Sequence, residues 1–280
     1  MKSLRRARRA GSNTLAHIVL STWTVLVLFP LWTMIANSFK FKYDIYKDPF
    51  GLPVKWNFDS YLSVLRDSDF IRFFRNSLVV TVGSIAAVLF FGALAAYALA
   101  NWRAKPSRWI YAFFIAGMML PIKIGSIRLL QMVKALGLID TIWSLYPVYI
   151  SMGLPVAVFV LTEFIREIPR ELTEAAVIDG AGRFRIFRSI IVHLLRPALA
   201  TVAIFNLVPF WNDLWFPLIF ISDDRHKTLL LGVTRLFGQY QTDWSKILAV
   251  LTLAAVPVIL LYLSMSKQFI KGLTAGAVKG

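Results

Sequence analysis

The strongest constraint in this 280-residue sequence is a series of long blocks free of charge. A run of roughly 18 or more apolar residues is what a helix needs to cross about 30 Å of hydrocarbon. Such runs appear at 10–39, 76–102, 141–162, 197–222 and 247–266, the fourth of these being interrupted by a single acid, Asp213. A weaker run begins at Trp109, stops at Ile122 and is followed by Lys123, Gly125 and Arg128. With 58% hydrophobic residues and a mean hydropathy of +0.64, the chain carries more greasy surface than a soluble core of this size accommodates. The expectation is an all-α integral membrane protein, one transmembrane domain over 1–280. It would have six spans at about 13–36, 76–100, 109–129, 141–162, 197–221 and 247–266. Small residues at Gly83, Gly92 and Ala95–Ala100 mark a close-packed face in the second span.

Charge sets orientation and removes alternatives. The net charge of +16 would suggest nucleic acid on a soluble domain, but these bases flank apolar blocks, so membrane lipid is the expected partner and nucleic acid is not. Dense basic clusters lie at the N-terminus, at 103–108, within 163–196 and after Met265, so both termini are expected on the cytoplasmic side. The basic start, Lys2 to Arg9, opens a long apolar stretch with no small-residue cleavage site and is expected to be a retained anchor. With no cysteine and three scattered histidines, neither a thiol nucleophile nor a metal site is expected.

Glu163 to Arg196 is too long and too patterned for a plain connector. Pro169 suits a helix start, with Glu171 and Glu174 toward the positive end of the dipole. Leu172, Ala175, Ala176 and Asp179 then share one helical face, and Gly180 and Gly182 end the helix. A second helix from Arg183 is expected to place Phe184, Phe187 and Ile191 on one side and arginines on the other. Such a pair either lies on anionic lipid or docks into a soluble partner, and the residues alone leave both open.

Within that loop, Glu174-Ala-Ala-Val-Ile-Asp-Gly-Ala-Gly resembles the EAA motif of permease subunits in binding-protein-dependent ABC importers. Trp211-Asn-Asp-Leu-Trp-Phe-Pro-Leu, Gly238-Gln-Tyr-Gln-Thr-Asp-Trp and the ending from Gly272 to Gly280 resemble the carbohydrate branch, in particular the maltose-type permease subunit with the shorter N-terminus. The resemblance implies that Glu174, Ala175, Ala176, Asp179, Gly180, Gly182 and Phe184 couple to an ATPase. It implies that Gly238, Gln239 and Tyr240 lie in an external loop reaching a solute-binding protein, and that the tail contacts the ATPase interface. The implied partners are a second permease, two ATPase subunits and a periplasmic or lipoprotein solute-binding protein, in a bacterial cytoplasmic (inner) membrane. Sugar in that family is held mainly by the other permease. His193 stands where the family usually has proline, which should straighten the second loop helix locally.

No Gly-x-x-x-x-Gly-Lys-Ser/Thr occurs, so ATP and Mg are expected on a partner and no cofactor on this chain. Asp213, a carboxylate inside an apolar span, must face water or protein. It lines a translocation path with Asn206, Trp211 and Asn212, or it makes a structural hydrogen bond to a neighbouring helix. Trp211, Trp215 and Phe216 either stack on a sugar or anchor at the interface. The competing class is a stand-alone ion-driven carrier or channel, which would normally carry paired intramembrane polar sites. A membrane enzyme would need a cluster of acids, histidines or metal ligands, and none is evident.

Overall fold

A computed structural model describes residues 2–102, 104–237 and 242–277. In chain order its α-helices are α1 (Lys2–Ser38), α2 (Lys42–Lys47), α3 (Asp59–Arg66), α4 (Ser68–Asn101), α5 (Lys105–Met119), α6 (Ser126–Ala135) and α7 (Leu145–Glu167). They continue as α8 (Arg170–Ile178), α9 (Arg183–Ile186), α10 (Val192–Leu194), α11 (Arg196–Trp211), α12 (Trp215–Phe220), α13 (Leu229–Val233) and α14 (Trp244–Ala277). Among the described residues four helices are long and apolar enough to cross a membrane: Thr14–Ser38, Asp69–Asn101, Ile142–Glu167 and Trp244–Ser264. Two bent pairs bring the number to six if each is one span. Lys105–Met119 with Ile122–Ala135 turns by 85°, and Arg183–Leu194 with Arg196–Trp211 by 71°.

The helices run past the apolar blocks at several ends, because the blocks mark hydrocarbon and hydrogen bonding continues into polar flanks. The third span, expected at 109–129, breaks at Leu120–Pro121, where Pro121 cannot donate to the preceding turn. The fifth, expected as one helix over 197–221, is corrected to α11 and α12 separated at Asn212–Leu214. The sixth continues to Ala277, so the tail from Gly272 is helical in its described part.

Contacts divide the chain into two compact units, Met1–Asp67 with Arg235–Ala255 and Ser68–Thr234 with Val256–Gly280. In the first, the end of α1 holds the segment that follows it. The Asn37 amide donates to the Pro49 carbonyl at 2.7 Å, and Lys40 Nζ to the Asp48 carbonyl at 2.5 Å. Ser245 Oγ in α14 donates to the Lys40 carbonyl at 2.9 Å. Phe39 packs against Trp56, Phe58 and Tyr61 at centroid distances of 5.3, 5.4 and 4.8 Å.

In the second unit, α7 is the central post. A Cβ placed on Gly92 would lie 2.7 Å from that of Ala157, and one on Gly153 equally close to Val88, so each glycine's bare backbone takes a side chain of the facing helix and α4 and α7 approach closely. The paired positions rise together (83 with 146, 88 with 153, 92 with 157), so the two helices are parallel. The glycine face expected in the second span is this contact. Lipid gives no hydrophobic drive between helices, so close van der Waals approach supplies the attraction. α5 and α11 run the other way along α7: Tyr111 meets Glu163 and Gly117 meets Pro155, while Asn206 meets Gly153 and Phe210 stacks on Tyr149.

Candidate functional sites: the elbow and the broken span

The sequence between α7 and α11 folds as a helical elbow. Pro169 immediately precedes α8 rather than opening it, and Glu171 lies in the first turn. The helix closes with the Ala181 N–H on the Ala176 carbonyl at 2.9 Å and the Gly180 N–H on the Val177 carbonyl at 3.0 Å. That bond pair requires a left-handed residue, and Gly180 supplies it at φ +79°. Gly182, expected to end the first helix, instead precedes α9 in extended conformation.

Of the face formed by Leu172, Ala175, Ala176 and Asp179, only Ala176 is buried; Glu174 is exposed with the rest. Val177, Ile178 and Phe184 stand out as apolar groups in solvent, Ile178 at 86% and Phe184 at 71% exposure. The expected grouping of Phe184 with Phe187 and Ile191 is therefore corrected. Phe187 and Ile191 are buried, with Phe187 against Tyr97 of α4 at 5.1 Å, but Phe184 projects away. A π-helical turn at Phe187–Ile191 carries one residue more per turn than an α-turn and rotates the upstream face out of line. The helix is continuous through the exposed His193 and bends two residues later, at Leu195–Arg196. A cavity of about 890 Å³ lies between the end of α4 and the elbow, lined by Tyr97, Trp102, Glu174, Ile178, Arg183 and Ile186 among others.

Where the fifth span breaks, Asp213 satisfies three donors. Tyr149 Oη donates to Oδ2 at 2.9 Å, the Trp215 N–H to Oδ1 at 3.0 Å and the Phe216 N–H to Oδ2 at 3.3 Å. It therefore makes the structural bond to a neighbouring helix and also caps the first turn of α12. Asn206 is buried, donates to the Val202 carbonyl at 2.8 Å and faces Gly153. Trp211 is buried edge-on to Phe74 at 5.7 Å. Asn212 is exposed. These four residues thus divide into two packed inside the chain, one half-buried and one facing out.

Sequence reasoning passed over Tyr149, Lys123, Ser126 and Asp140. The Trp215 indole N–H donates to Ser126 Oγ at 2.8 Å, and Lys123 Nζ sits 5.7 Å from that ring's centroid. Asp140, at φ 59°, accepts from the Ser222 and Asp223 N–H groups at 2.5 and 3.1 Å, tying the entrance of α7 to the end of α12. Lys123 and Asp140 were visible as charges beside apolar runs, but their partners lie about 80 to 90 positions away in the chain. Gly238, Gln239 and Tyr240 lie outside the described residues.

Comparisons with known proteins agree with this arrangement. Residues 88–273 match the family described as binding-protein-dependent transport system inner membrane component. The chain is 31% identical, over 98% of its length and 93% of the relative's, to the diacetylchitobiose uptake system permease protein NgcG of Streptomyces coelicolor. It is 32% identical, over 98% of its length and the whole of the relative's, to the melibiose/raffinose/stachyose import permease protein MelC of Bacillus subtilis. Its fold is similar to a chain in the crystal structure of a bacterial ABC transporter involved in alginate import, with a TM-score of 0.80 at 21% identity, covering 92% of this chain and 96% of that one. The chain therefore belongs to the binding-protein-dependent transport system inner membrane components, the membrane-spanning permease subunits of ABC importers, which are transport subunits and not enzymes.

Proposed function

We propose that this permease imports a carbohydrate across the bacterial cytoplasmic membrane as one half of a heterodimer with a second permease. Two ATPase subunits bind and hydrolyse ATP with Mg, and an external solute-binding protein delivers the sugar. The sugar reading is supported by the likeness to the oligosaccharide permeases and by the four motif regions, which occur in the family's order along the chain.

The observation that carries the coupling role is the elbow. Val177, Ile178 and Phe184 are apolar and exposed at a turn that is covalently continuous with two spans, α7 on one side and α11 on the other. An apolar tip held on short helices is the shape that seats in a cleft of a partner. Glu174, Ala175, Ala176, Asp179, Gly180 and Gly182 build that tip, and closure of the ATPase pair would move it as a rigid body, tilting both spans. We assign both termini to the cytoplasm and Gly238, Gln239 and Tyr240 to the loop that reaches the binding protein, on the strength of the basic clusters and the motif order. Asn212 and Asp213 stand at the path, with Asn206 and Trp211 as its packed support.

Gly180→Pro tests the coupling. Proline cannot adopt φ +79°, so the α8 closure is lost while the spans are untouched. The complex should still assemble in the membrane, but ATP hydrolysis should no longer drive sugar accumulation in reconstituted vesicles. Normal uptake by that variant would count against the coupling role. Uphill transport by this chain with no ATPase present would overturn the proposal and favour a stand-alone carrier.

A further inference from the structure

The break in the third span places a cation where a membrane helix does not tolerate one without reason. α5 runs antiparallel to α7, with Tyr111 at the level of Glu163 and Gly117 at that of Pro155. The 85° turn after Met119 therefore keeps Lys123 near the depth of Tyr149, which lies seven residues, about 10 Å, inside the end of its span. Lys123 is exposed on the chain, beside the equally exposed Ile124. Its ammonium makes no hydrogen bond or ion pair among the described residues and sits 5.7 Å from the centroid of the Trp215 ring. A charge at such a depth faces protein or water, not lipid.

The surroundings of Lys123 are built rather than incidental. The Ser126 hydroxyl holds the Trp215 indole N–H, which fixes the plane of a ring that is 43% exposed. Asp213, three of whose acceptor positions are already used, stands at the same break, two residues before Trp215. Asn212, exposed at the same break, adds an amide with both donors and an acceptor.

We infer that Trp215, Lys123 and Asn212 form a pyranose subsite on this permease, at the level where the third and fifth spans are both interrupted. The indole surface takes the C–H face of an uncharged sugar ring, and the ammonium and amide donate to its hydroxyls. Interrupted spans free such side chains to line a path without exposing backbone to lipid. The subsite rests on the carbohydrate reading above and adds that this chain itself handles the sugar.

The test uses the complete transporter in vesicles, first identifying which of raffinose, maltose and chitobiose the wild type accumulates. This chain has no cysteine of its own, so Ile124→Cys, exposed beside Lys123 and outside the subsite itself, gives it a single thiol, whose reaction with a small charged methanethiosulfonate is read by mass. The accumulated sugar should slow that reaction at least threefold (an order-of-magnitude expectation for direct shielding), and a sugar that is not accumulated should leave it unchanged. Trp215→Ala should lower the maximal uptake rate roughly five- to tenfold, Trp215→Phe should restore most of it, and the half-saturating sugar concentration should stay where the binding protein sets it. ATPase stimulation by the binding protein should persist in both. A thiol that never reacts, or reacts at a rate indifferent to the sugar, overturns the subsite, as does wild-type uptake by Trp215→Ala. If the wild type accumulates no sugar at all, the carbohydrate reading itself falls, and the subsite with it.

Discussion

Tyr149 in α7 donates its hydroxyl hydrogen to Asp213 Oδ2 at 2.9 Å, joining two antiparallel spans at the point where one of them breaks. The same carboxylate caps α12, so one side chain fixes both the interhelical distance and the restart of the helix. Phe210 stacks on the Tyr149 ring at 4.8 Å with the planes 10° apart, which leaves the hydroxyl little freedom to choose another acceptor.

Tyr149→Phe removes one donor and leaves Asp213 its two backbone donors. A hydrogen bond to a charged group is worth about 1.5–3 kcal/mol, so the variant should unfold measurably earlier in a detergent thermal melt. Asp213→Ala should cost more, since α12 also loses its cap, worth about 1 kcal/mol more. Equal melting of wild type and both variants would show that the pair carries no stability.

The α4–α7 contact makes a second prediction. Gly92→Val and Gly153→Val each force a side chain into space already filled by Ala157 or by Val88 and Asn206. Overpacking of this kind costs about 1–3 kcal/mol, read as loss of folded permease after detergent extraction. Gly125→Ala, where a new Cβ meets nothing within 4 Å, is the control and should extract like wild type.

How far the sequence reached is clear from these same residues. Apolar block length locates spans because hydrocarbon thickness fixes it, and the Gly83 and Gly92 face was legible because close approach demands small side chains. Asp213 was legible as a carboxylate out of place, but its partner was not, since Tyr149 is one of nine tyrosines and sits 64 positions away. The elbow showed in the spacing from Pro169 to Gly182, whereas the outward turn of Phe184 depends on a π-helical turn that no periodicity announces. The break at Asn212–Leu214 was hidden inside a continuous apolar run, because composition reports solvent preference and not backbone continuity.

The loop after α12 gives a pH prediction. Arg225 hydrogen-bonds the Asp223 carboxylate through its guanidinium and its own backbone N–H, which lowers the carboxyl to about 2. A carboxyl depressed on folding stabilises fully above the ordinary carboxylate range and loses that contribution only as pH falls through about 2. The loop should therefore keep its conformation in any mildly acid medium. A carboxyl-carbon NMR titration of labelled aspartate, assigned with Asp223→Asn, should show this group still ionised at pH 3, and Arg225→Ala should move it up toward its neighbours.

The exposed tip of the elbow is the place where energy would enter. Ile178 and Phe184 stay exposed among the described residues, and a side chain of that size is worth about 1.5–3 kcal/mol when fully covered. If they seat in an ATPase cleft, Ile178→Asp places a charge in the contact and should lower recovery of the ATPase with this permease in mild detergent by tenfold or more, since about 1.4 kcal/mol is tenfold. Phe184→Ala, which removes area without adding charge, should lie between. Both side chains project from the exposed tip and pack on no other span among the described residues, so the second permease should copurify undiminished. That contrast separates a docking contact from a folding defect: joint loss of both partners would mean the elbow is structural, and retention of the ATPase by Ile178→Asp would remove the tip from the coupling path.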